Sequence, residues 1–528
     1  MRRRSFLKLL GALALAARAA GAAVPRDVVV MARRIDDFVS LDPAEAYEFS
    51  DEEAIGNCYD HLLDYDPAHS ERIFGVLARQ WRVEGDGRRH RFALRREARF
   101  ASGRPVTADD VAFSLRRVVL LDLTPAFVLR QFGFAKDNLS ESIRVEDGAL
   151  VLETASQMAP SLLYYVLTSS VAAVVEKTAA LAHERGGDLG QRWLAFHSAG
   201  SGPYRLDDWQ PGERYALDAV PDAWRGRARM PKVILLDVPE PATQRLLLVR
   251  GDADYARDLD KDDLAALERD PGFAFDRSLQ ALQTYLALNQ RHPYLSRPDA
   301  VAAFKWLVDY DGIVNQLLGG TRVVQQGFVP QGLLGADDAR PFRLDVARAK
   351  ALLAQAGLAQ GFEVSLDVTA TAPWLDIALA LQASFARAGV RLRIRPGDEK
   401  ETLTKYRARR HEIYLGDWGS DYPDPHSNAQ AFIVADDMSD KAALKTLAWR
   451  NSWSDPGLAR RVQEAARESD IARRAQLYRA LQRDHRQIAP FVLMFQDVAI
   501  AAHRKTITGF ALGPSPDHTL YAGIVKSV

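Results

Sequence analysis

An α/β fold with at least two lobes is what this sequence predicts, on three observations. The chain has 528 residues, beyond the size at which one apolar core gives way to several. Residues 362–368 alternate apolar and polar, 374–388 read as a helix stopped by Gly389, and 390–394 alternate again. A strand, a helix and a strand joined so closely make a βαβ unit, which implies a parallel sheet. Residues 90–119 hold a further strand, turn and capped helix.

The elements follow in chain order. Residues 28–32 are a short apolar strand. Leu41-Asp42-Pro43 turns the chain, and a helix is expected through 52–63. Residues 90–94 alternate as a half-buried strand, and Ser102-Gly103 marks a turn. Thr107 and Asp110 stand at capping-box spacing, and Val111, Ala112, Leu115, Val118 and Val119 then share one helical face. A mixed region occupies 122–196. Gly200, Gly202 and Pro203 fix a bend. Tyr204-Arg205-Leu206 and Tyr215-Ala216-Leu217 flank the turn Gln210-Pro211-Gly212 as a hairpin. A strand at 233–238 and a helix at 243–249, ending before Gly251, come next. A strand is expected at 285–289 and one helix at 297–318, terminated by Gly319-Gly320. Asp345 caps a helix that ends at Gly357. After the βαβ unit, 413–415 form a short strand that leads into a loop at 416–425. Residues 458–487 are a long amphipathic helical region, and 490–495 and 498–501 are strands.

The first 22 residues read as a cleavable export signal: a basic start, a short apolar run and small residues around Ala20-Gly21-Ala22. Arg3-Arg4-x-Phe6-Leu7-Lys8 fits a twin-arginine signal; an ordinary secretory signal carrying three arginines is the alternative. No Cys follows, so no lipid anchor is expected there. The formal charge is zero over the whole chain, and without Arg2, Arg3, Arg4, Lys8 and Arg18 it becomes 64 basic against 69 acidic residues. That balance argues against nucleic-acid or anionic-membrane partners. Cys58, the one cysteine, cannot form an internal disulfide and reads as a small buried residue. Residues 162–175 are the longest later apolar stretch, but Thr168, Ser169 and Ser170 interrupt it, so it reads as core rather than a membrane span. The absence of short repeats argues against solenoids and propellers.

No catalytic motif is present. Gly200-Ser201-Gly202 lacks nucleophile-elbow spacing, and His411-Glu412 is not followed by the second His of a zinc helix. The 11 histidines are scattered and read as solvated or hydrogen-bonded; His426 alone lies beside a loop of interest. Catalytic residues, metal ligands and cofactors are therefore not expected. The loop holds Asp417, Asp421 and Asp424 with Trp418, Tyr422, Pro423 and Pro425. Such a loop is either a rigid turn with solvated acids or a cation site walled by aromatic rings, and it follows a strand, where α/β ligand sites lie.

The stretch from Leu77 to Arg117 resembles the signature of the family-5 extracellular solute-binding proteins, the peptide and nickel receptors of ATP-binding-cassette importers. The segment through Gly202-Pro203-Tyr204, Trp224 and Val233 is similar to a second motif of that family, and Arg297, Ala303, Asp309 and Ile313 to a third. The resemblance implies a periplasmic-binding-protein-like two-lobe fold of type II, in the enlarged peptide-receptor class, with an extra subdomain in the first lobe. The expected division is an export signal at 1–22, lobe I at 23–70, its extra subdomain at 71–197, lobe I again at 198–280, lobe II at 281–505 and a return to lobe I at 506–528. The chain would cross between lobes near residues 280 and 505.

The same resemblance implies a monomeric, soluble periplasmic receptor that catalyses no reaction. It would capture a peptide by lobe closure and deliver it to an inner-membrane permease and its ATPases. Trp418 and Asp421 match a W-x-x-D motif whose Asp pairs with the ligand's α-ammonium, and Gly419 and Tyr422 lie in the same segment. The ungapped match also places Tyr47 and Phe49 against the ligand. An α-amino group is charged near neutrality, so enclosing it requires a carboxylate. Leu415 stands where oligopeptide receptors carry an Arg, which leaves a ligand carboxylate without a partner; Arg407, Arg409 and Arg410 read as solvated. A nickel chelate, an opine, a sugar or another amine is the alternative ligand, and a secreted hydrolase the alternative class.

Overall fold

A computed structural model describes residues 24–67 and 69–527; the expected export signal lies outside the described residues. The spine is one eleven-stranded sheet. In chain order its strands are β1 (Val28–Arg33), β2 (Tyr204–Gln210), β3 (Arg214–Ala219), β4 (Lys232–Asp237), β5 (Tyr255–Ala256), β6 (Phe273–Leu288), β7 (Arg322–Val324), β8 (Phe362–Thr369), β9 (Val390–Gly397), β10 (Ile413–Gly419) and β11 (Phe491–Arg504). They lie side by side as β9-β8-β10-β6-β11-β5-β1-β4-β3-β2, with β7 added on β11.

The predicted parallel pairing is present: β8 runs parallel to both β9 and β10, and β1 parallel to both β4 and β5. The two long strands β6 and β11 are antiparallel to each other, and their register breaks between Leu279 and Gln283. On one side of the break β6 pairs with β10; on the other β11 pairs with β5 through Ala502 and His503. Two strands alone thus join the two halves of the sheet. The sequence showed only the end of β6, because 276–283 carries no apolar alternation; pairing along the strand, not side-chain pattern, extends it. For the same reason the two short strands expected at 490–501 are one.

Each half has its own apolar core. Leu286, Leu366, Val390, Ile377 and Phe385 lie in one, and Val29, Met31, Tyr215, Leu217 and Val233 in another. A separate four-stranded sheet, formed by Ala78–Glu84, Arg89–Leu94, Ala149–Glu153 and Ile143–Glu146, packs with the helix α1 (Ala108–Leu121). That helix begins as predicted: Asp110 N donates to Thr107 Oγ1 at 3.3 Å and Thr107 N to Asp110 Oδ2 at 3.0 Å. Val111, Ala112, Leu115, Val118 and Val119 are all buried.

Three helical expectations are corrected. The helix expected through 52–63 is α-helix Phe49–Cys58. The Asp60 carboxylate just beyond it is held by Ser201, Trp224 and Arg225, and Leu63–Asp66 pairs as a strand with His69–Gly75. The helix expected at 297–318 ends at Lys305, whose buried ammonium donates to the carbonyls of Arg486 and Ala489. Asp309 then caps a new start by accepting from Gly312 N. The region at 458–487 is two helices, Pro456–Arg467 and Ile471–Ile488, the second capped by Asp470, which accepts from Arg473 N at 2.7 Å. Cys58 is free and buried. No helix among the described residues is long and apolar enough to cross a membrane.

Candidate functional site

The segment singled out at 416–425 is not wholly a loop. β10 runs on through Trp418, paired with Gln283, to Gly419, paired with Leu282. The chain leaves the sheet at Ser420, and Pro425–Ile433 is already helical. Its three acids have three fates. Asp424 is structural: it caps that helix by accepting from His426 N at 2.8 Å, and Arg474 grips it at 2.6 and 2.7 Å. Asp417 faces the Arg322–Asp497 ion pair; burial, with Asp497 adding to it and Arg322 opposing, pushes its carboxyl up to about 7.

Asp421 is the third. Its Oδ1 accepts from the Tyr47 hydroxyl at 2.5 Å, and its Oδ2 lies 3.4 Å from Ser427 Oγ. No basic side chain forms an ion pair with it among the described residues. Burial pushes its carboxyl up to about 6, against the opposing hydrogen bonds of Tyr47 and Ser427 and the charge of Arg450. A carboxylate removed from water without a cation is costly, so this one is poised to receive a positive group.

Around it the structure brings together groups from distant parts of the chain. Phe49 opens the helix Phe49–Cys58, and its ring would lie 3.5 Å from a Cβ at Gly419. The Tyr47 ring sits edge-on to Phe127 at 6.0 Å. Tyr47, Phe49, Gly419 and Asp421 therefore meet across the two halves of the sheet. Trp418 adjoins them, with its indole Nε1 shut from solvent and unpartnered. Tyr422 is buried in the core of the four-stranded subdomain, and its hydroxyl donates to Gln131 Oε1 at 3.1 Å.

Two charged residues beside this group were not singled out by sequence. Glu52 lies in the same helix as Phe49; burial, then Asp517, Asp421, Asp51 and Glu48, all push its carboxyl far above the usual range. Arg450 ends the short helix Leu447–Arg450. Its guanidinium carbon lies 6.0 Å from the Trp418 ring and 5.5 Å from the Tyr406 ring. Its Nε is enclosed and unpartnered. Neither belongs to a motif, and Arg450 is flanked only by Trp449 and Asn451, so nothing local announces it. Of the arginines read as solvated, Arg407 and Arg410 are exposed, but Arg409 is buried over Trp449 at 4.3 Å. His426 is a core residue: its Nδ1 is 3.2 Å from the Tyr478 hydroxyl, and burial lowers it to about 4. A surface hollow of about 650 Å³ between Tyr65, Arg72, Phe74 and His518 contains none of these groups.

Residues 72–440 match the family described as bacterial extracellular solute-binding proteins, family 5 middle. The chain is 29% identical over 517 residues to the "Probable D,D-dipeptide-binding periplasmic protein DdpA" of Escherichia coli K12, covering 97% of this chain and 96% of that one. It is 26% identical over 538 residues to the di/tripeptide-binding protein 2 of Pseudomonas aeruginosa UCBPP-PA14, covering 97% and 98%. Among solved structures, the periplasmic binding protein DppA of Helicobacter pylori, in complex with the peptide STSA, superposes with a TM-score of 0.79 at 24% identity, covering 95% of this chain and 98% of that one. The substrate-binding protein CtaP of Listeria monocytogenes gives 0.81 at 17% identity, covering 95% and 99%. These two structures bear on the fold: a two-lobe periplasmic binding protein.

Proposed function

We propose, for a chain that belongs to family 5 of the bacterial extracellular solute-binding proteins, that it captures a peptide by its free α-ammonium between two lobes and hands it to the permease of an ATP-binding-cassette importer. The observation that carries this reading is Asp421, a carboxylate enclosed between the halves with only hydroxyl partners. Tyr47, Phe49, Gly419 and Trp418 wall the ligand, while Tyr422 fastens the halves together through Gln131. Extended backbone pairing adds affinity without sequence preference. The names of the relatives, a D,D-dipeptide-binding and a di/tripeptide-binding protein, support a peptide as ligand.

In this reading residues 71–197 are an extra subdomain, lobe II spans 281–505, and the lobes turn about the register break of β6 and β11. The mature protein works in the periplasm as a soluble monomer, meets the inner-membrane permease and its ATPases, and catalyses no reaction.

Calorimetric titration of the mature protein with unmodified short peptides tests the assignment. Asp421→Asn leaves a bound ammonium unpaired, a loss of roughly 3–5 kcal/mol, or about two to four orders of magnitude in affinity. A variant that binds such a peptide as tightly as the wild type does would remove Asp421 from the site. Native mass spectrometry of the protein from periplasm separates a peptide receptor, which shows a spread of added masses, from a receptor of one non-peptide ligand, which shows a single mass.

A further inference from the structure

Buried guanidiniums in this molecule are almost always matched to a carboxylate. Arg117 takes Asp42 at 2.5 Å, Arg474 takes Asp424, Arg322 takes Asp497 at 2.6 Å, and Arg33 and Arg257 share Glu53. Arg450 is the exception: among the described residues its guanidinium has neither an ion pair nor a hydrogen bond. Near it lies Asp421, a carboxyl that the Arg450 charge reaches and whose side-chain partners are hydroxyls alone. Positive and negative groups that could satisfy each other are held apart, next to one another.

We infer that Arg450, together with the indole N–H of Trp418, receives the carboxylate of a short zwitterionic ligand whose ammonium lies against Asp421. This inference rests on the peptide reading above. The geometry supplies the donors. The Trp418 Nε1 and the Arg450 Nε are both enclosed and unpartnered, and the guanidinium lies 6.0 Å from the Trp418 ring. Two buried N–H donors left open call for an acceptor, and a guanidinium fork suits a carboxylate.

Arg450 is held firmly enough for the task. Thr446 Oγ1 accepts from Trp449 N at 3.1 Å to cap its helix. The next residue, Asn451, is locked by His411 Nε2 at 3.1 Å and by Gln290 N donating to its carbonyl at 2.9 Å. The other charges facing Arg450 are those of Asp421 and Arg407, with the hydroxyls of Tyr47, Tyr406 and Tyr414. Arg407 is exposed and repels it, so an anion beside Arg450 would relieve a like-charge contact. Arg450 also answers the departure at Leu415, where the sequence offered no partner for a ligand carboxylate. Because Trp418 and Asp421 are three residues apart in one segment, the two ends of the ligand must be close, which selects di- and tripeptides over long ones.

The test is a cycle between ligand and protein. Wild type and Arg450→Gln are titrated with Ala-Leu and Ala-Ala-Ala, and with the C-terminal amides of both. Amidation is expected to weaken wild-type binding about a hundredfold and to change Arg450→Gln binding less than threefold. Equal penalties in both proteins, or none in the wild type, overturn the assignment of Arg450 while leaving the peptide reading in place. If neither free peptide binds the wild type, both readings fall. Should Arg450→Gln not fold, as judged by circular dichroism, Trp418→Phe keeps the ring and removes the N–H. It should lose several-fold for the acid and nothing for the amide, and equal loss for both overturns the proposal.

Discussion

Glu53, buried, and Asp421, half-buried, are acids with opposite fortunes. Glu53 is surrounded by Arg33, Arg257 and the Tyr521 hydroxyl, and the two guanidiniums outweigh burial and hold its carboxyl below the usual range. Asp421 has two hydroxyl groups, and burial wins. The first arrangement stabilises the fold; the second weakens it. The pH dependence follows with a definite sign. Burial pushes the Asp421 carboxyl up to about 6 in the folded chain, against an ordinary value of 3.8. Between those values the folded chain keeps a proton that the unfolded chain has lost, so stability falls as pH rises through 6. Ligand-free Asp421→Asn should therefore unfold later than wild type at pH 7.5, by roughly 1–3 kcal/mol. The gap should close as the pH drops toward 4. Thermal melts of both proteins across that range check it, and a gap that stays constant would mean an unperturbed carboxyl. Ligand binding should weaken over the same interval, because a protonated Asp421 no longer attracts an ammonium.

Elements whose ends are written in local chemistry were legible. Helix α1 starts where Thr107 and Asp110 exchange hydrogen bonds, and the helix of the βαβ unit gives way to β9 at Gly389, which takes a positive φ of 83°. Replacing Thr107 by Ala removes an acceptor and should cost about 1 kcal/mol, measured by urea unfolding with an unchanged slope; no loss would show that Asp110, which also accepts from Lys177 N at 3.1 Å, holds the turn alone. Elements whose ends depend on distant partners were not legible. Residues 276–283 form the middle of β6 although they do not alternate, because β11 pairs with 276–279 and with Gln283, and β10 pairs with Leu282 and Gln283. The helix expected to run through Lys305 stops there in a tightened turn, Trp306 N donating to Ala303 O and Leu307 N to Phe304 O, and Asp345 N, from farther along the chain, takes the Trp306 carbonyl.

At the scale of the molecule, two strands join the halves of the great sheet, and a short set of polar contacts closes them over the site. Tyr47 meets Asp421, Tyr422 meets Gln131, and Ser70 Oγ donates to Gly332 O at 2.6 Å. Such contacts are individually worth about 1 kcal/mol, so closure is reversible and a ligand that bridges the halves can bias it. Small-angle scattering should show the radius of gyration shrinking when Ala-Leu saturates the protein; an unchanged profile at saturation would mean that binding does not move the halves. The α/β class, the parallel unit, the capped helix and the segment that carries Asp421 can be read from the chain's residues alone, because each is encoded by neighbours within a turn or a strand. Which acid of that segment stays unpaired, and that Arg450 lies beside it, depends on contacts between distant parts of the chain. Whether a buried charge is matched depends on residues hundreds of positions away, and no local pattern records them.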